Sequence, residues 1–359
     1  MPITVFHKKE ILSIGVDISD TTLKGVLLEK KSSNFSIISH AQAEIPTGVI
    51  SENTISDPIQ LGSLLEHIVR TLQGGHLRHT LISIPLPEPE TFLTTLTLHP
   101  SGQNNSPEML EPLITEEIKQ HIPIDPEQLI FDWQISEQTA MSTTVVVAAA
   151  PRSLVDTFTQ VFSSQRLIPL AFEIESIAIA RALIPIQNRH PQDTTIIIDL
   201  GAHRSGLSLV QGTTVHMAVS APLSSASLIE SIAHNLKQSN KEGQDLLFSL
   251  GIEPAKTMQK TYRSIVESAI HDLITRVQDV IQFSQEHLHE TMPQTVLLTG
   301  GGARMKGIAS YLSQELHIST QEADPLTNIL HSLSHPCPIP PHERHHFTTA
   351  IGLALRPFI

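Results

Sequence analysis

One sequence pattern occurs twice in this chain, and it constrains the fold more than any other feature. The first copy is residues 13–28, SIGVDISDTTLKGVLL, and the second is residues 194–210, TTIIIDLGAHRSGLSLV. Each copy has an apolar segment that ends in an aspartate (Asp17 or Asp199), a short polar turn and a second apolar segment, which predicts a β-hairpin. An internal repeat of this kind indicates that the chain has two related halves.

The composition of the two turns suggests a chemical role for the hairpins. A tight turn rich in Ser, Thr and Gly can present backbone N–H groups to a phosphate. A carboxylate at the strand end, Asp17 or Asp199, can hold a cation against that phosphate through water. Two such hairpins facing each other would bind the polyphosphate of a nucleotide from both sides. The alternative is that each aspartate is simply a turn-initiating carboxylate.

A third glycine-bearing stretch supports the nucleotide interpretation. Residues 294–308, QTVLLTGGGARMKGI, predict a strand that runs into Gly300, Gly301 and Gly302 and then into a helix. Three glycines after a buried strand permit close approach of the backbone to a ligand, although a plain helix-entry turn has the same composition. The pattern is not a P-loop, because no Gly-Lys-Ser or Gly-Lys-Thr follows.

In this order, the three stretches resemble the phosphate-1, phosphate-2 and adenosine motifs of the superfamily of actin, sugar kinases and seventy-kilodalton heat-shock ATPases. Within it the chain is similar to the PilM family of type IV pilus assembly, with FtsA as the nearest outside relative. The narrower match lies in residues 116–135 (EEIKQHIPIDPEQLIFDWQI), 145–183 and 350–356 (AIGLALR). It implies an α/β, two-lobed actin-like ATPase fold of duplicated ribonuclease-H-like lobes with an inserted SHS2-type subdomain.

The resemblance also implies domain boundaries. A first lobe would cover residues 1–89, and residues 90–170 would form the inserted subdomain, with the order strand, helix, strand, strand, helix. A connecting helix within 171–192 would return to the first lobe, and residues 193–346 would form the second lobe. A C-terminal helix within 347–359 would close back on the first lobe. Such an insertion is an interaction surface in the relatives.

Carried over residue by residue, the resemblance implies a site for ATP and Mg²⁺. Asp17 and Asp199 would hold Mg²⁺ through water. Glu175 would position the attacking water together with Asp199, with a structural ion pair or a solvated carboxylate as the alternative for Glu175. The nucleotide-binding candidates are Asp17, Ser19, Asp20, Thr21, Thr22, Lys24, Gly201, Ala202, Arg204, Ser205, Ser224, Ser225, Gly300, Gly301, Gly302 and Arg304.

The chain departs from the family pattern at several site positions. Ser19 stands where most relatives carry Gly, and Arg204 stands where a small polar residue is usual, so it either contacts phosphate or fills the pocket. Relatives carry a Gly-Gly pair and an Ala-Glu…Lys segment beside ribose and base, but this chain has no equivalent lysine. These departures weaken the nucleotide site and predict that turnover is weak or absent. The replacing residues are His203, Arg204, Ser224, Ser225, Gly243, Gln244 and Leu247.

Composition narrows the partners and the location. A formal net charge of −13, with 23 Lys and Arg spread thinly, argues against nucleic acid. The single cysteine, Cys337, excludes an internal disulfide and suits a reducing cytosol. With no run of 18 apolar residues and no terminal amphipathic helix, we expect a cytoplasmic protein without a direct membrane anchor, held at the inner face of the cell membrane by partners.

A histidine-rich segment near the C-terminus raises the possibility of zinc. His342 and His346 have one spacing that zinc sites use, but the segment is rich in proline and histidine is frequent throughout the chain. We expect a solvated polar loop instead. The residues concerned are His335, Cys337, His342, His345 and His346.

Together these observations predict a PilM-like adaptor. It would dock on the inner-membrane pilus alignment complex through the cytoplasmic N-terminal peptide of a PilN-like protein, with PilO-, PilC- and PilB-like proteins as further partners and self-association possible. Two other functions stay open. The first is an active ATPase or a sugar-kinase-like phosphotransferase, although the sequence shows no convincing substrate base. The second is an FtsA-like division filament, which the missing amphipathic helix disfavours.

Overall fold

The computed structural model describes residues 11–31, 34–51, 54–74, 81–99, 106–139, 141–187, 189–221, 223–252, 260–288, 292–330 and 336–359. Among the helices in these ranges, none combines the length and the apolar character needed to cross a bilayer. The strands are β1 (Ile11–Ile18), β2 (Thr22–Lys31), β3 (Asn34–Glu44), β4 (Ile50–Ser51), β5 (Thr54–Ile55), β6 (Leu81–Leu86), β7 (Phe92–Leu98), β8 (Leu129–Gln138), β9 (Thr143–Pro151), β10 (Pro169–Ile174), β11 (Thr194–Leu200), β12 (Ser205–Gln211), β13 (Thr214–Ala221), β14 (Thr295–Thr299) and β15 (Ser319–Glu322). The helices are α1 (Pro58–Leu72), α2 (Pro107–His121), α3 (Arg152–Ser164), α4 (Glu175–Leu183), α5 (Ser225–Leu236), α6 (Asn240–Leu250), α7 (Lys260–Phe283), α8 (Ile308–Leu316) and α9 (Thr348–Leu355).

The chain divides into two compact units, and each is built from several segments. Unit 1 comprises Met1–Leu86, Val155–Leu183 and Leu326–Ile359. Unit 2 comprises Pro87–Leu154 and Ile184–Pro325. Each unit contains one five-stranded sheet, and unit 2 also contains a three-stranded sheet. The domain boundaries predicted from the sequence remain a prediction.

The sheet of unit 1 has the strand order β10-β6-β1-β2-β3, with β1, β2 and β3 antiparallel and β6 and β10 parallel to β1. Helix α1 packs on one face, where a methyl group added at Gly25 would lie 2.8 Å from Ile68. Helix α9 packs on the opposite face, where a methyl group at Gly15 would lie 2.0 Å from the Ala350 carbonyl oxygen. Glycine therefore lets both helices approach this sheet closely.

Local sequence signals explain where α1 begins. Asp57 caps the helix, since its Oδ1 accepts hydrogen bonds from the N–H groups of Ile59 at 3.1 Å and Gln60 at 2.9 Å. Pro58 occupies the first helical position, where a missing N–H costs nothing. The sequence pair Asp57-Pro58 predicts a cap followed by a first-turn proline, and the structure confirms both. The buried face consists of Leu61, Gly62, Leu65, Ile68, Val69 and Leu72.

The sheet of unit 2 repeats the arrangement of the first sheet. Its order is β13-β12-β11-β14-β15, with an antiparallel series β11, β12, β13 and parallel strands β14 and β15 on the other side of β11. The duplicated lobes predicted from the two hairpins are therefore confirmed. The core of unit 2 joins alternate residues of β11, such as Ile196 and Ile198, to apolar residues of α5, α7 and α8.

The inserted block, defined here as residues 87–154, contains the three-stranded antiparallel sheet β7-β9-β8. Helix α2 covers one face through Leu110, Ile114 and Ile118, which are all fully buried. The predicted order strand, helix, strand, strand, helix is confirmed as β7, α2, β8, β9 and α3, although most of α3 lies beyond the block, in unit 1.

Several elements differ from the sequence prediction. The apolar pattern predicts helices over residues 228–236 and 265–289, whereas α5 begins at Ser225 and α7 begins at Lys260. Helix α6 was not predicted, because its apolar residues are few. It begins at a capping box in which Ser239 and Glu242 satisfy each other's backbone N–H groups, a signal that is present in the sequence.

Candidate functional site

The first hairpin has a turn that is fixed by its own residues. The last paired residues are Ile18 and Leu23, which leaves the four residues 19–22 in the turn. The Ser19 hydroxyl donates to the Thr22 carbonyl oxygen and accepts from the Thr22 N–H, both at 3.1 Å. The carbonyl oxygen of Thr21 accepts from the N–H of Ile45 at 2.8 Å. These bonds hold the turn in one conformation.

The aspartate of the first hairpin faces a lysine. Asp17 and Lys24 are opposite each other in the register, and the lysine Nζ lies 3.7 Å from the aspartate Oδ2. The side chains of Lys24 and Asp17 are 15% and 10% exposed. The predicted candidates Asp17 and Lys24 therefore form an ion pair at the end of the strand, while Asp20 lies half-buried in the turn.

The second hairpin has a turn of the same length but different surroundings. Its last paired residues are Leu200 and Ser205, which again leaves four residues, 201–204. The residue opposite Asp199 in the register is Gly206. Within the turn, Ala202 and His203 are exposed and Arg204 is half-buried.

The glycine turn after β14 lies against the second hairpin. Gly300 has φ +78°, and a methyl group there would lie 2.2 Å from Oδ1 of Asp199 and 2.7 Å from the Leu200 carbonyl oxygen. A methyl group at Gly302 would lie 2.9 Å from the Ser225 hydroxyl. The second hairpin, the glycine turn and the start of α5 therefore meet inside unit 2.

The start of α5 braces the second turn. The N–H of Ser225 donates to the Gly201 carbonyl oxygen at 3.1 Å, and the N–H of Ala226 donates to the Ala202 carbonyl oxygen at 2.9 Å. Because these helix N–H groups already bind the protein, they are not available to a phosphate. The predicted residue Ser225 thus lies in the site and orients the turn.

Two predicted serines have local hydrogen-bonding roles. Ser224 caps α5, since its hydroxyl accepts from the N–H of Ser227 at 3.0 Å. Ser205 donates its hydroxyl proton to the Leu223 carbonyl oxygen at 2.8 Å. Both serines are buried, so these bonds satisfy polar groups that water does not reach.

The remaining glycine-turn residues lie on a short 3-10 helix at Gly301–Arg304. Arg304 is exposed, and its guanidinium carbon lies 6.0 Å from the ring centroid of Phe248 on α6. Helix α6 includes Gly243, where a methyl group would lie 2.9 Å from the Ile229 carbonyl oxygen of α5. In this chain the segment where relatives carry a base-lining motif is therefore a helix packed on α5.

Glu175 lies in unit 1 as the first residue of α4. Its Oε1 accepts a hydrogen bond from the Thr349 hydroxyl at 3.4 Å, which links α4 to α9. The nearby Glu173 forms the structural ion pairs in this region, with Arg181 and, at 2.5 Å, with Arg356. The catalytic role of Glu175 stays a prediction, as does the convergence of Asp17 and Asp199 on one polyphosphate.

The histidine-rich segment is more ordered than predicted, because Pro341–Phe347 form a 3-10 helix. His342 is exposed on this helix, whereas His345 is buried. His335 lies outside the described residues. Within the described ranges, no group of three or more His, Cys, Asp or Glu side chains is arranged to hold a metal ion.

Sequence reasoning missed Glu88, which lies on the short 3-10 helix Glu88–Glu90 at the start of the inserted block. A methyl group at Gly206 would lie 3.2 Å from Oε2 of Glu88 and 3.9 Å from the Cβ of Asp199. A second carboxylate thus lies beside the strand position opposite Asp199. The sequence gives no signal for this contact, because Glu88 lies between two prolines, Pro87 and Pro89, and belongs to no motif.

The residues present fit Mg²⁺ better than they fit the rest of a nucleotide. A strand-end carboxylate beside a polar turn, as at Asp199, suits a hydrated divalent cation. The start of α5 does not suit a phosphate, because its first N–H groups bind the turn.

Comparisons with known proteins bear on the family and the fold of the chain. A family model described as type IV pilus assembly protein PilM matches residues 15–358. The chain is similar to a solved PilM–PilN type IV pilus biogenesis complex, with 19% identity, coverage of 96% of this chain and 98% of that chain, and a TM-score of 0.76. It is also similar to the ethanolamine utilization protein EutJ from Carboxydothermus hydrogenoformans (14% identity, 96% and 89% coverage, TM-score 0.54) and to MreB5 of Spiroplasma citri bound to ADP (13% identity, 89% and 93% coverage, TM-score 0.53).

Proposed function

Because the chain belongs to the family of the type IV pilus assembly protein PilM, we propose that it is a nucleotide-binding adaptor of pilus assembly. It would bind ATP with Mg²⁺, and it would also bind a PilN-type peptide at the inner membrane. The observation that carries the proposal is the meeting of Asp199, the glycine turn and the braced second turn in unit 2.

The nucleotide would be held by the turns of both hairpins. Asp17 and Asp199 would face hydrated Mg²⁺, which neutralises phosphate charge when bound. Ser19, Thr22 and the second turn would surround the phosphates, and the segment around Gly300 would lie beside the nucleoside. Support comes from the ADP that the structurally similar MreB5 binds. Turnover would be weak or absent, since the start of α5 is committed to the turn.

A melting experiment tests nucleotide binding. We expect Mg-ATP to raise the melting temperature of the full chain, because a ligand at about 100 times its Kd stabilises the folded state by about 2.7 kcal/mol. Asp199→Asn should abolish this shift. Asp245→Asn, on the exposed surface of α6, is the matched control and should keep it. Steady phosphate release that Asp199→Asn removes would instead favour an active ATPase.

The sheet of unit 1 offers an edge for a peptide. At one edge, β3 is partly occupied, since the N–H of Leu330 donates to the Phe35 carbonyl oxygen at 3.0 Å and the Leu330 carbonyl oxygen accepts from Ser36 at 3.1 Å. At the other edge, β10 pairs with β6 and with no other strand of the described chain. The edge at β10 is therefore open to an added strand.

Apolar side chains accompany this open edge. Ile168 is 78% exposed and Leu170 is 45% exposed. Two residues further on, Phe172 packs against the rings of Phe158 and Phe162, so the exposed residues continue an apolar strip. A peptide strand that pairs with β10 could bury Ile168 and Leu170, which is the usual mode of strand addition to a sheet edge. We propose this edge for the N-terminal peptide of a PilN-type protein.

A titration with that synthetic peptide tests the second part of the proposal. Leu170→Ser should weaken binding at least about tenfold, since burial of a leucine side chain contributes about 1.5–3 kcal/mol. Ile38→Ser is the matched control, because Ile38 is 48% exposed on β3 at the opposite edge of the same sheet. Equal loss in both variants, or no binding by the wild type at micromolar concentration, would contradict the proposed edge.

A further inference from the structure

The inserted block contacts the second hairpin through its first residues. If Gly206 carried a methyl group, that group would lie 3.2 Å from Oε2 of Glu88. Gly206 is the residue that pairs with Asp199 across the hairpin. Gly206 does not have a positive φ, so the backbone itself does not demand glycine there. The absent side chain instead makes room for the carboxylate of Glu88.

The block contacts the same sheet at a second point. The hydroxyl of Thr95 in β7 donates to the carbonyl oxygen of His216 in β13 at 3.0 Å. Strand β13 pairs with β12 along its length, and Ser220 of β13 lies opposite Gly206. The two contacts therefore act on adjacent strands, one near the Asp199 turn and one further along the sheet.

The segment that carries both contacts is held in one conformation. The N–H and the hydroxyl of Thr91 both donate to the carbonyl oxygen of Glu88, each at 3.1 Å, which closes the turn at Glu88–Glu90. Strand β7 follows directly and pairs with β9 over its whole length. A displacement of the block would therefore move Glu88 and Thr95 together and would break both contacts.

We propose that Glu88 and Thr95 are positioning residues through which the inserted block sets the conformation of the second hairpin. Docked, the block holds β12 and β13 and places the Glu88 carboxylate beside Gly206, the residue opposite Asp199. Displaced, it leaves the turn braced by α5 and the glycine turn alone. This inference rests on the proposed nucleotide site. A ligand or partner that displaces the block should then change the affinity for the nucleotide. By reciprocity, the nucleotide should change the affinity for that ligand or partner by the same factor.

Hydrogen exchange of the unliganded full chain tests this inference without any nucleotide. Thr95→Val removes the hydroxyl donor and keeps the shape of the side chain, and Glu88→Gln removes the charge. Combined, they should raise the exchange rates of β12 and β13 amides by on the order of tenfold, because these amides open more easily when local contacts are lost. Thr97→Val with Glu90→Gln, both at exposed positions of the same segment, is the control and should leave these rates unchanged.

A second variant separates position from charge. Gly206→Ala keeps both Glu88 and Thr95 but inserts a methyl group 3.2 Å from the carboxylate, so the carboxylate must shift. We expect faster exchange in β12 around position 206, with β13 near His216 less affected. Equal exchange in the wild type, the double variant and Gly206→Ala would overturn the inference.

Calorimetric titration with Mg-ATP then links the contact to the nucleotide. The double variant Glu88→Gln/Thr95→Val should bind at least about fivefold more weakly than the wild type, whereas the control pair should bind equally. Faster exchange with unchanged Mg-ATP affinity would overturn the positioning role. A wild type that does not bind Mg-ATP would overturn the proposed nucleotide function, and the exchange measurement would still decide whether the block holds the hairpin.

Discussion

The two hairpins have turns of equal length, but the protein holds them by different means. In the first, Ser19 and Thr22 close the turn, and Lys24 faces Asp17 across the strands. In the second, the position opposite the aspartate is a glycine, Gly206, and the turn is held from outside. The outside supports are the start of α5, the turn at Gly300 and the inserted block.

This difference shows how one duplicated motif can acquire two roles. A turn that is closed largely by its own side chains depends less on the rest of its unit. A turn that is braced by three separate segments responds to each of them. We therefore interpret the first hairpin as a fixed support and the second as the part of the site that other regions of unit 2 can influence.

The largest effect is expected from a substitution that disrupts the outside support of the second hairpin. Gly300→Ala would place a methyl group 2.2 Å from Asp199 Oδ1 in a backbone with φ +78°. We expect destabilisation of about 3 kcal/mol or more, because steric overlap adds to backbone strain. The measurement is urea unfolding followed by circular dichroism.

The control for Gly300 separates these two causes. Gly48 also has a positive φ, +91°, but a methyl group there would meet no atom within 4 Å. Gly48→Ala should therefore cost only about 1 kcal/mol, the contribution of the backbone conformation. A similar cost for both variants would show that the contact with Asp199 is unimportant.

A smaller effect is expected from breaking the internal support of the first hairpin. Lys24→Met removes the partner of a largely buried carboxylate, and we expect a loss of about 2 kcal/mol of unfolding free energy. Arg263→Met is the control, since Arg263 pairs with Glu267 at 2.7 Å and the two side chains are 59% and 38% exposed. Exposed pairs contribute little, so the control should change stability by less than about 0.5 kcal/mol. Equal losses would mean that burial of the Asp17 pair does not matter.

The third prediction concerns pH and the strand that the inserted block contacts. Burial lowers the pKa of His216 below its ordinary value, so the folded protein keeps this side chain neutral. In the unfolded chain, His216 binds a proton near the ordinary histidine pKa of about 6.5. The protein therefore loses stability as the pH falls from that value to the lower pKa of His216 in the folded state. For one proton, the unfolding free energy cannot change by more than about 1.4 kcal/mol per pH unit.

His216→Gln should remove this contribution to the pH dependence. The unfolding free energies of both proteins are measured between about pH 8 and pH 5. The value for the wild type minus the value for the variant should decrease as the pH falls, because only the wild type loses the His216 contribution. Taking the difference between two chains cancels the other histidines, which number 19 of the 20 in the sequence. A constant difference across the range would contradict the role of burial.

Much of the fold could be predicted because its signals are local. Short apolar runs that end at polar turns identify β1, β2, β11 and β12, and the helical period of α1 follows its cap at Asp57. The repeat of the hairpin then predicts the duplicated sheets. Patterns of this kind depend on neighbours in the sequence, so they can be found without coordinates.

The contacts that distinguish the two hairpins could not be predicted. Each depends on residues distant in sequence: Glu88 reaches Gly206, and the backbone of α5 reaches the carbonyl oxygens of the second turn. Every residue except proline has a backbone N–H, so the identity of Ser225 does not indicate that its N–H donates to the second turn. The glycines Gly300 and Gly302 were predicted as a turn, but which atoms they approach is set by the packing.

The single tryptophan of the chain, Trp133, lies half-buried in β8 and packs against the core of the inserted block. Its fluorescence in the intact protein therefore comes from this block, with no background from other indole rings. Emission wavelength and quenching can follow the local environment of the block in real time, while partners or nucleotides are added, without any label or engineered probe.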